Sequence, residues 1–392
     1  MHVHVLEAEG HAKRSGIAEG TAAGTDLVAR AQALAAQFAA NAARHDAEDS
    51  FVAENYAALK REGFFKAHIP AEFGGGSADY AETCAAVRAI AAGCGSTGLA
   101  FAMHTHIVAL ALWRFRNEGA PTDGLLKRAA KEDLVLISSG GADWLPSNGR
   151  AVKVEGGYRV TARKSFASGC PAGDLLVTSA VLDDPSAEPT VLHFAVPFNA
   201  EGVSIIDTWR VMGMRGSASN DVQLSDVFVP DAAIAGRRAQ GKWGPLFHAI
   251  AMIAFPIVYS AYLGVADHAR AKALELVRGR AVDEGAVLTV GEMETAHAAA
   301  QMAVAEMIRI AETSKPGPEV TNRSMMARAL AVPSMISTVE HAMEVAGGAA
   351  FFRDHGIERS FRDIQGARYH PLREKPRLRY AGRMALGLDI DG

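Results

Sequence analysis

Histidine and serine side chains, at a handful of positions, give this 392-residue chain the means to move protons. His370 stands just before Pro371, and its imidazole titrates near neutrality, so it can protonate or hydrogen-bond a reacting group. His104 and His106 sit two residues apart in Phe101-Ala102-Met103-His104-Thr105-His106, where they either line a site or simply brace a helix. Ser168 follows Phe166 by two positions, and its hydroxyl both donates and accepts. Ser138 and Ser139 form a second hydroxyl pair upstream. Cys84, Cys94 and Cys170 show neither a C-x-x-C pair nor ligand-spaced histidines, which argues against a metal site or a disulfide framework and for a reducing, cytoplasmic setting.

Positioning these groups requires a sizeable scaffold. With 49% hydrophobic residues the chain can bury a large core, and its length suits two or three domains. A net charge of −4, with both signs dispersed, offers no basic field for nucleic acid or an anionic membrane. Residues 1–25 read as a loose arm without a secretory signal. From 26 to 133, apolar residues recur at three- and four-residue steps, predicting helices over Leu27–Ala43, Phe51–Gly63 and Tyr80–Ala92. From 134 to 240 the pattern shifts to short β-branched runs separated by Gly and Pro, which reads as an antiparallel β-domain. From 241 to 392 long helices return, with Pro256 and Pro333 marking kinks or first turns.

The uncharged run Ala249–Ala266 approaches membrane-spanning length but holds Pro256, Tyr259, Ser260, Tyr262 and Gly264, so it reads as a buried bundle helix whose all-round apolar surface suggests a subunit interface. Helices, then strands, then helices argue against a doubly wound sheet, and the G-x-G-x-x-G and P-loop signatures are absent. The class expected from pattern alone is α+β, mainly α, in three blocks.

Several segments together resemble the acyl-CoA dehydrogenase family over roughly residues 26 to 392. They are Leu59 to Phe65 followed by Ile69-Pro70-Ala71-Glu72-Phe73-Gly74-Gly75, Met212-Gly213-Met214-Arg215-Gly216-Ser217-Ala218-Ser219 running to Val227-Phe228-Val229-Pro230, Val345 to Gly348, Ile357-Glu358-Arg359, and Arg362-Asp363. The resemblance implies an N-terminal helical domain, a middle antiparallel β-barrel domain and a C-terminal four-helix bundle. It also implies a flavin between the middle and last domains and a homotetramer. Phe166 and Ser168 match the aromatic and hydroxyl residues that meet the flavin ring. Ser138 and Ser139 stand where the family writes a Thr-Glu-Pro-Gly-type loop, here followed by a departing Ala142-Asp143-Trp144-Leu145-Pro146. Arg278 and the pair Gly347 and Gly348 match the phosphate-side positions. FAD is the default cofactor, but Glu344 replaces the family's Gln there and would repel a pyrophosphate, which makes FMN the alternative.

The resemblance also locates a loss. Counted from Arg362, the family's proton-abstracting glutamate falls on Pro371, and its other known location falls on Ala254 and Phe255. His370 instead matches a histidine of the flavin monooxygenases that share this fold, the dibenzothiophene and hydroxyphenylacetate type. Those enzymes transfer oxygen from a C4a-hydroperoxyflavin, and His104 matches a histidine of the same branch. The expected catalytic set is therefore His370, Ser168 and His104, acting on a small molecule, with a flavin reductase or electron-transfer flavoprotein as partner. Two alternatives stay open: an acyl-CoA dehydrogenase whose base is displaced to Glu374, and a flavin-binding paralogue without catalysis.

Overall fold

The computed structural model describes residues 24–139, 141, 144–186, 188–279 and 281–392. Residues 1–23, nearly all of the expected arm, lie outside the described residues, as do Gly140, Ala142, Asp143, Ala187 and Arg280. Among the described residues five helices come first: α1 (Gly24–Glu48), α2 (Ala53–Arg61), α3 (Tyr80–Gly93), α4 (Gly95–Glu118) and α5 (Asp123–Glu132). Eight strands follow: β1 (Leu136–Ser138), β2 (Arg150–Val154), β3 (Gly157–Ala167), β4 (Leu175–Leu182), β5 (Thr190–Pro197), β6 (Val203–Ile206), β7 (Asn220–Pro230) and β8 (Ile234–Ala239). The chain closes with α6 (Pro245–Val277), α7 (Glu284–Thr313), α8 (Pro318–Ala346), α9 (Ile357–Ile364) and α10 (Glu374–Ala385).

Local chemistry sets these boundaries. Asp79 accepts the Glu82 N–H at 2.6 Å to cap α3, and Asp283 accepts that of Ala286 at 2.8 Å to cap α7. Gly119 ends α4 in the left-handed region, and Pro245 opens α6 where no amide hydrogen is needed. Pro256 and Pro333 sit inside α6 and α8, not in their first turns.

The strands form one sheet in the order β6-β7-β3-β2-β4-β5-β8, with β1 also pairing β4. This path has two ends, at β6 and β8, and it is mixed where antiparallel pairing was expected throughout: β4 runs parallel to β1 and to β2. A helical block precedes β1, so this strand enters the sheet from outside any hairpin, and nothing in the strand pattern announces its direction. The last block likewise holds three long helices, α6 to α8, completed by the short α9 and α10.

Helix α6 is the axis of the molecule, packed against α3 and α4 on one side and against α7, α8 and α9 on the other. Its residues from Ala251 through Ala266 are all buried within this one chain. The intrachain helices therefore account for its apolar surface, and no subunit contact is required to cover it. Gly264 permits the α3 approach: a Cβ there would lie 2.2 Å from the Arg88 carbonyl oxygen and 2.8 Å from the Ala91 methyl. Gly264→Ala forces the helices apart and destabilises the fold by about 1–3 kcal/mol, measurable as a lowered urea midpoint with an unchanged slope. The same seam is tied by Asp267, which accepts from Arg88 at 2.6 and 2.8 Å and faces His297 of α7 at 2.7 Å.

The Arg362-Asp363 pair is structural cement. Arg362 binds Asp46 of α1 in a two-pronged pair at 2.8 and 2.6 Å and also Glu358 one turn back. Buried Asp363 accepts the Met214 N–H, fastening the segment before β7 to α9. Together they fix where the chain leaves α9 to carry His370.

Candidate functional site

His370 closes a group built by the helices of the last block. Its Nε2 lies 2.7 Å from the Tyr262 hydroxyl of α6, and the Tyr259 ring stands edge-on with centroids 6.4 Å apart. From α8, the Arg328 guanidinium donates to the carbonyl oxygens of His370 at 3.0 Å and Ala367 at 3.5 Å, and through Nε to the Tyr259 hydroxyl. Arg328 is 4% exposed, and among the described residues no carboxylate comes within ion-pair distance of it. Burial, then the Arg328 charge, then His106 push the His370 imidazole down to about 3. This corrects the expectation of an imidazole titrating near neutrality: in this setting it is neutral at physiological pH.

His106 of α4 belongs to the same neighbourhood, near enough for its charge to disfavour that of His370. It faces the Ser138 hydroxyl of β1 at 3.2 Å and is itself held down to about 4 by burial. His104 is differently employed. Its Nδ1 accepts the Leu136 N–H at 2.9 Å, so Nε2 carries the hydrogen and donates to the Phe65 carbonyl at 2.7 Å. At 1% exposed, with burial pushing it down to about 4, it is a neutral brace between α4, the start of β1 and the Phe64–Lys66 turn. Both ring nitrogens of His104 are occupied by backbone, and His106 is the one of the two whose charge bears on His370.

Ser168 sits just past β3 at the end of a buried hydroxyl chain. Ser219 donates to its Oγ at 2.7 Å, and Ser217 lies 2.7 Å from Ser219. With one lone pair engaged, Ser168 keeps its hydrogen and a second lone pair for an outside partner. A register shift between β3 and β7 at Lys164/Ala167 turns Phe166 outward, 50% exposed, with φ of +61°. A bulky residue held there costs of order 1–3 kcal/mol, and such strain concentrates at functional sites. Phe166 meets Trp209 edge-to-face at 6.0 Å, presenting an aromatic wall beside the hydroxyl. Ser139 is paired with Thr178 at 2.6 Å.

The phosphate-side residues are surface features. Arg278 is exposed at the end of α6, and Gly347 and Gly348 are exposed at the end of α8, where an added Cβ would meet nothing within 4 Å. Glu344 lies 3.8 Å from His341. Phe166 offers an exposed aromatic face and Ser168 a hydroxyl that both donates and accepts, while Arg278 and the bare glycine pair lie on the helix ends of the last block. Among the described residues no hydrogen bond joins Ser168 to the His106–His370 group. Glu374 is exposed on the first turn of α10, where its charge favours the helix terminus, so it supplies no buried base.

Tyr259, Tyr262 and Arg328 were not anticipated. The signal available was two tyrosines in a run already read as buried, whose hydroxyls must find partners there, and an arginine that in sequence looks like a solvated one.

Two family models match the chain: the acyl-CoA dehydrogenase N-terminal domain over residues 22–127 and the acyl-CoA dehydrogenase C-terminal domain over residues 257–374. Together they take in more than half of it. The chain belongs to the acyl-CoA dehydrogenase superfamily of flavoproteins. It is 26% identical to the amino sugar nitrososynthase RubN8 of Streptomyces rubradiris, covering 95% of this chain and 92% of that protein. It is 27% identical to a dibenzothiophene monooxygenase of Rhodococcus erythropolis, over 89% and 90%. The X-ray structure of KijD3 in complex with FMN and a dTDP-linked amino-keto sugar superposes with a TM-score of 0.87 at 23% identity, covering 96% of each chain.

Proposed function

We propose that this superfamily member is a flavin-dependent monooxygenase that uses FMN. The observation that carries the reading is the loss of the family's carboxylate, whose place falls on Pro371, with a neutral imidazole, His370, beside it and no carboxylate paired with that imidazole among the described residues. Removal of an α-proton from a thioester needs a base of carboxylate strength in that place. The full-length likeness to a nitrososynthase and a dibenzothiophene monooxygenase supports oxygen transfer further. FMN is favoured over FAD because Glu344 weakens the pyrophosphate side.

Phe166 and Ser168 would hold the flavin ring, with Ser138 and Ser139 on the opposite wall. Arg278, Gly347 and Gly348 would take the phosphate. When bound and reduced, the flavin supplies activated oxygen. His370 then offers a hydrogen bond to the reacting oxygen, His106 and Ser138 line the approach, and the apolar surroundings exclude water. Reduced flavin comes from a separate reductase, since the chain has no dinucleotide motif of its own. Exposed Met302, Met326 and Leu330 on α7 and α8, with Phe351 and Phe352 beside the glycine pair, support self-association, which we read as a homotetramer.

Two binding experiments follow. FMN binds the purified protein, seen as quenched flavin fluorescence; absence of binding by either FMN or FAD removes the reading. Ser168→Ala and Ser219→Ala each weaken that binding by roughly two- to tenfold, the value of one neutral hydrogen bond. An unaltered affinity in both would take the hydroxyl chain out of the site. Short-chain acyl-CoAs leave the oxidised flavin coloured under anaerobic conditions, whereas rapid bleaching would restore the dehydrogenase.

A further inference from the structure

The bond between Tyr262 and His370 determines which imidazole nitrogen carries hydrogen. Tyr262 is 1% exposed, and among the described residues its hydroxyl has no hydrogen-bond partner besides His370 Nε2. Were Nε2 the donor, the phenolic hydrogen would be left buried and unpaired, at a cost of about 1–3 kcal/mol. Tyr262 therefore donates, Nε2 accepts, and the ring hydrogen resides on Nδ1. His370 is only partly buried, and Nδ1 is not among its buried unsatisfied atoms, so this hydrogen faces accessible space.

Arg328 secures the same arrangement from the backbone side. Its Nη2 donates to the carbonyls of Ala367 and His370, which pins both ends of the turn that delivers the imidazole. Its Nε donates to the Tyr259 hydroxyl, and Tyr259 in turn donates to the Ala367 carbonyl at 3.4 Å. A buried guanidinium with only neutral partners is costly to keep. Its charge also opposes a second proton on the ring beside it.

We propose that Tyr262 and Arg328 are positioning residues that lock His370 as the Nδ1–H tautomer and aim that hydrogen out of the bundle toward the substrate. His370 thereby acts as a fixed hydrogen-bond donor and does not shuttle protons. The proposal rests on the oxygen-transfer reading for what the hydrogen meets, but the tautomer itself is a property of the flavin-free protein.

The test is 15N NMR of histidine-labelled, flavin-free protein, with the His370 signals assigned by their loss in His370→Asn. The expected wild-type pattern is a protonated Nδ1 and a bare Nε2, unchanged down to about pH 4.5. In Tyr262→Phe, which removes one oxygen and keeps the ring, the tautomer preference collapses and turnover drops about tenfold while FMN affinity holds. In Arg328→Gln the imidazole becomes protonated at higher pH, and the activity profile gains an acid limb; Arg328→Lys, which keeps the charge, shows a smaller shift. A protonated Nε2 in the wild type, or an unaltered tautomer in folded Tyr262→Phe, overturns the proposal whether or not the enzyme oxygenates anything.

Discussion

Replacing His370 by alanine lowers product formation by about a hundredfold or more, while FMN binds as tightly as to the wild type. A positioned hydrogen-bonding or proton-transferring group contributes about 10²–10⁴ to a rate, and His370 is the imidazole that the bundle anchors through Tyr262 and Arg328. Flavin affinity is expected to hold because the ring and phosphate contacts are assigned to other residues, Phe166, Ser168, Arg278 and the glycine pair. The assay uses whichever aromatic sulfide, amine or phenol the wild type oxygenates best, with reduced FMN supplied by an added reductase. Undiminished product yield removes His370 from the chemistry. A parallel loss of flavin binding assigns it a structural part instead. His104→Gln, by contrast, acts through stability, because the histidine it removes is spent on two backbone bonds.

The second large effect is destabilisation by acid. His104, His106 and His268 are held down to about 4 and His370 to about 3, in each case chiefly by burial. The unfolded chain protonates these rings near 6.5, the folded one only far lower, so between those values the unfolded state binds more protons and stability rises with pH. The contribution is complete above about pH 6.5 and is lost as pH falls through the window. At about 1.4 kcal/mol per pH unit, His104 alone forfeits about 2 kcal/mol on going from pH 6.5 to 5. The other three act in the same direction. Asp363 opposes them: burial raises its carboxyl to about 6, so it adds stability as pH falls toward its unfolded value near 4. Four histidines outweigh one aspartate, and the urea midpoint falls steeply between pH 6.5 and 5. His104→Gln flattens that slope by about one proton. A midpoint that stays level or rises across the range contradicts the buried-neutral assignment.

How much of this was legible in the sequence depends on how local each feature is. The helical blocks follow from apolar spacing, and the run 249–266 was readable as a core helix because nothing charged interrupts it. What it packs against was not readable: α3 and α4 cover it within the same chain, through close approaches at Gly264 that only a three-dimensional neighbour reveals. The parallel pairings of β4 escaped for a similar reason, since strand patterns give existence and length but not direction.

At the site, the frame was visible and the division of labour was not. Phe166, Ser168 and His370 are found at motif positions, and the resemblance alone pointed to them. His104 and His106 could not be separated by type or spacing. One helix places them on different faces, so that His104 meets the backbone of two other segments and His106 meets Ser138. The titration range of His370 was misjudged because it is set first by burial that no local pattern encodes, and then by Arg328, 42 residues away in sequence.

Oxygen chemistry carried out beside a neutral histidine is tested most directly by stopped-flow absorbance of the reduced, FMN-loaded protein mixed with dissolved oxygen. A transient absorbance band is expected, distinct from those of oxidised and reduced flavin, persisting without substrate and much shorter-lived in His370→Ala. A single-step return to oxidised flavin with stoichiometric hydrogen peroxide, identical in both proteins, would contradict it.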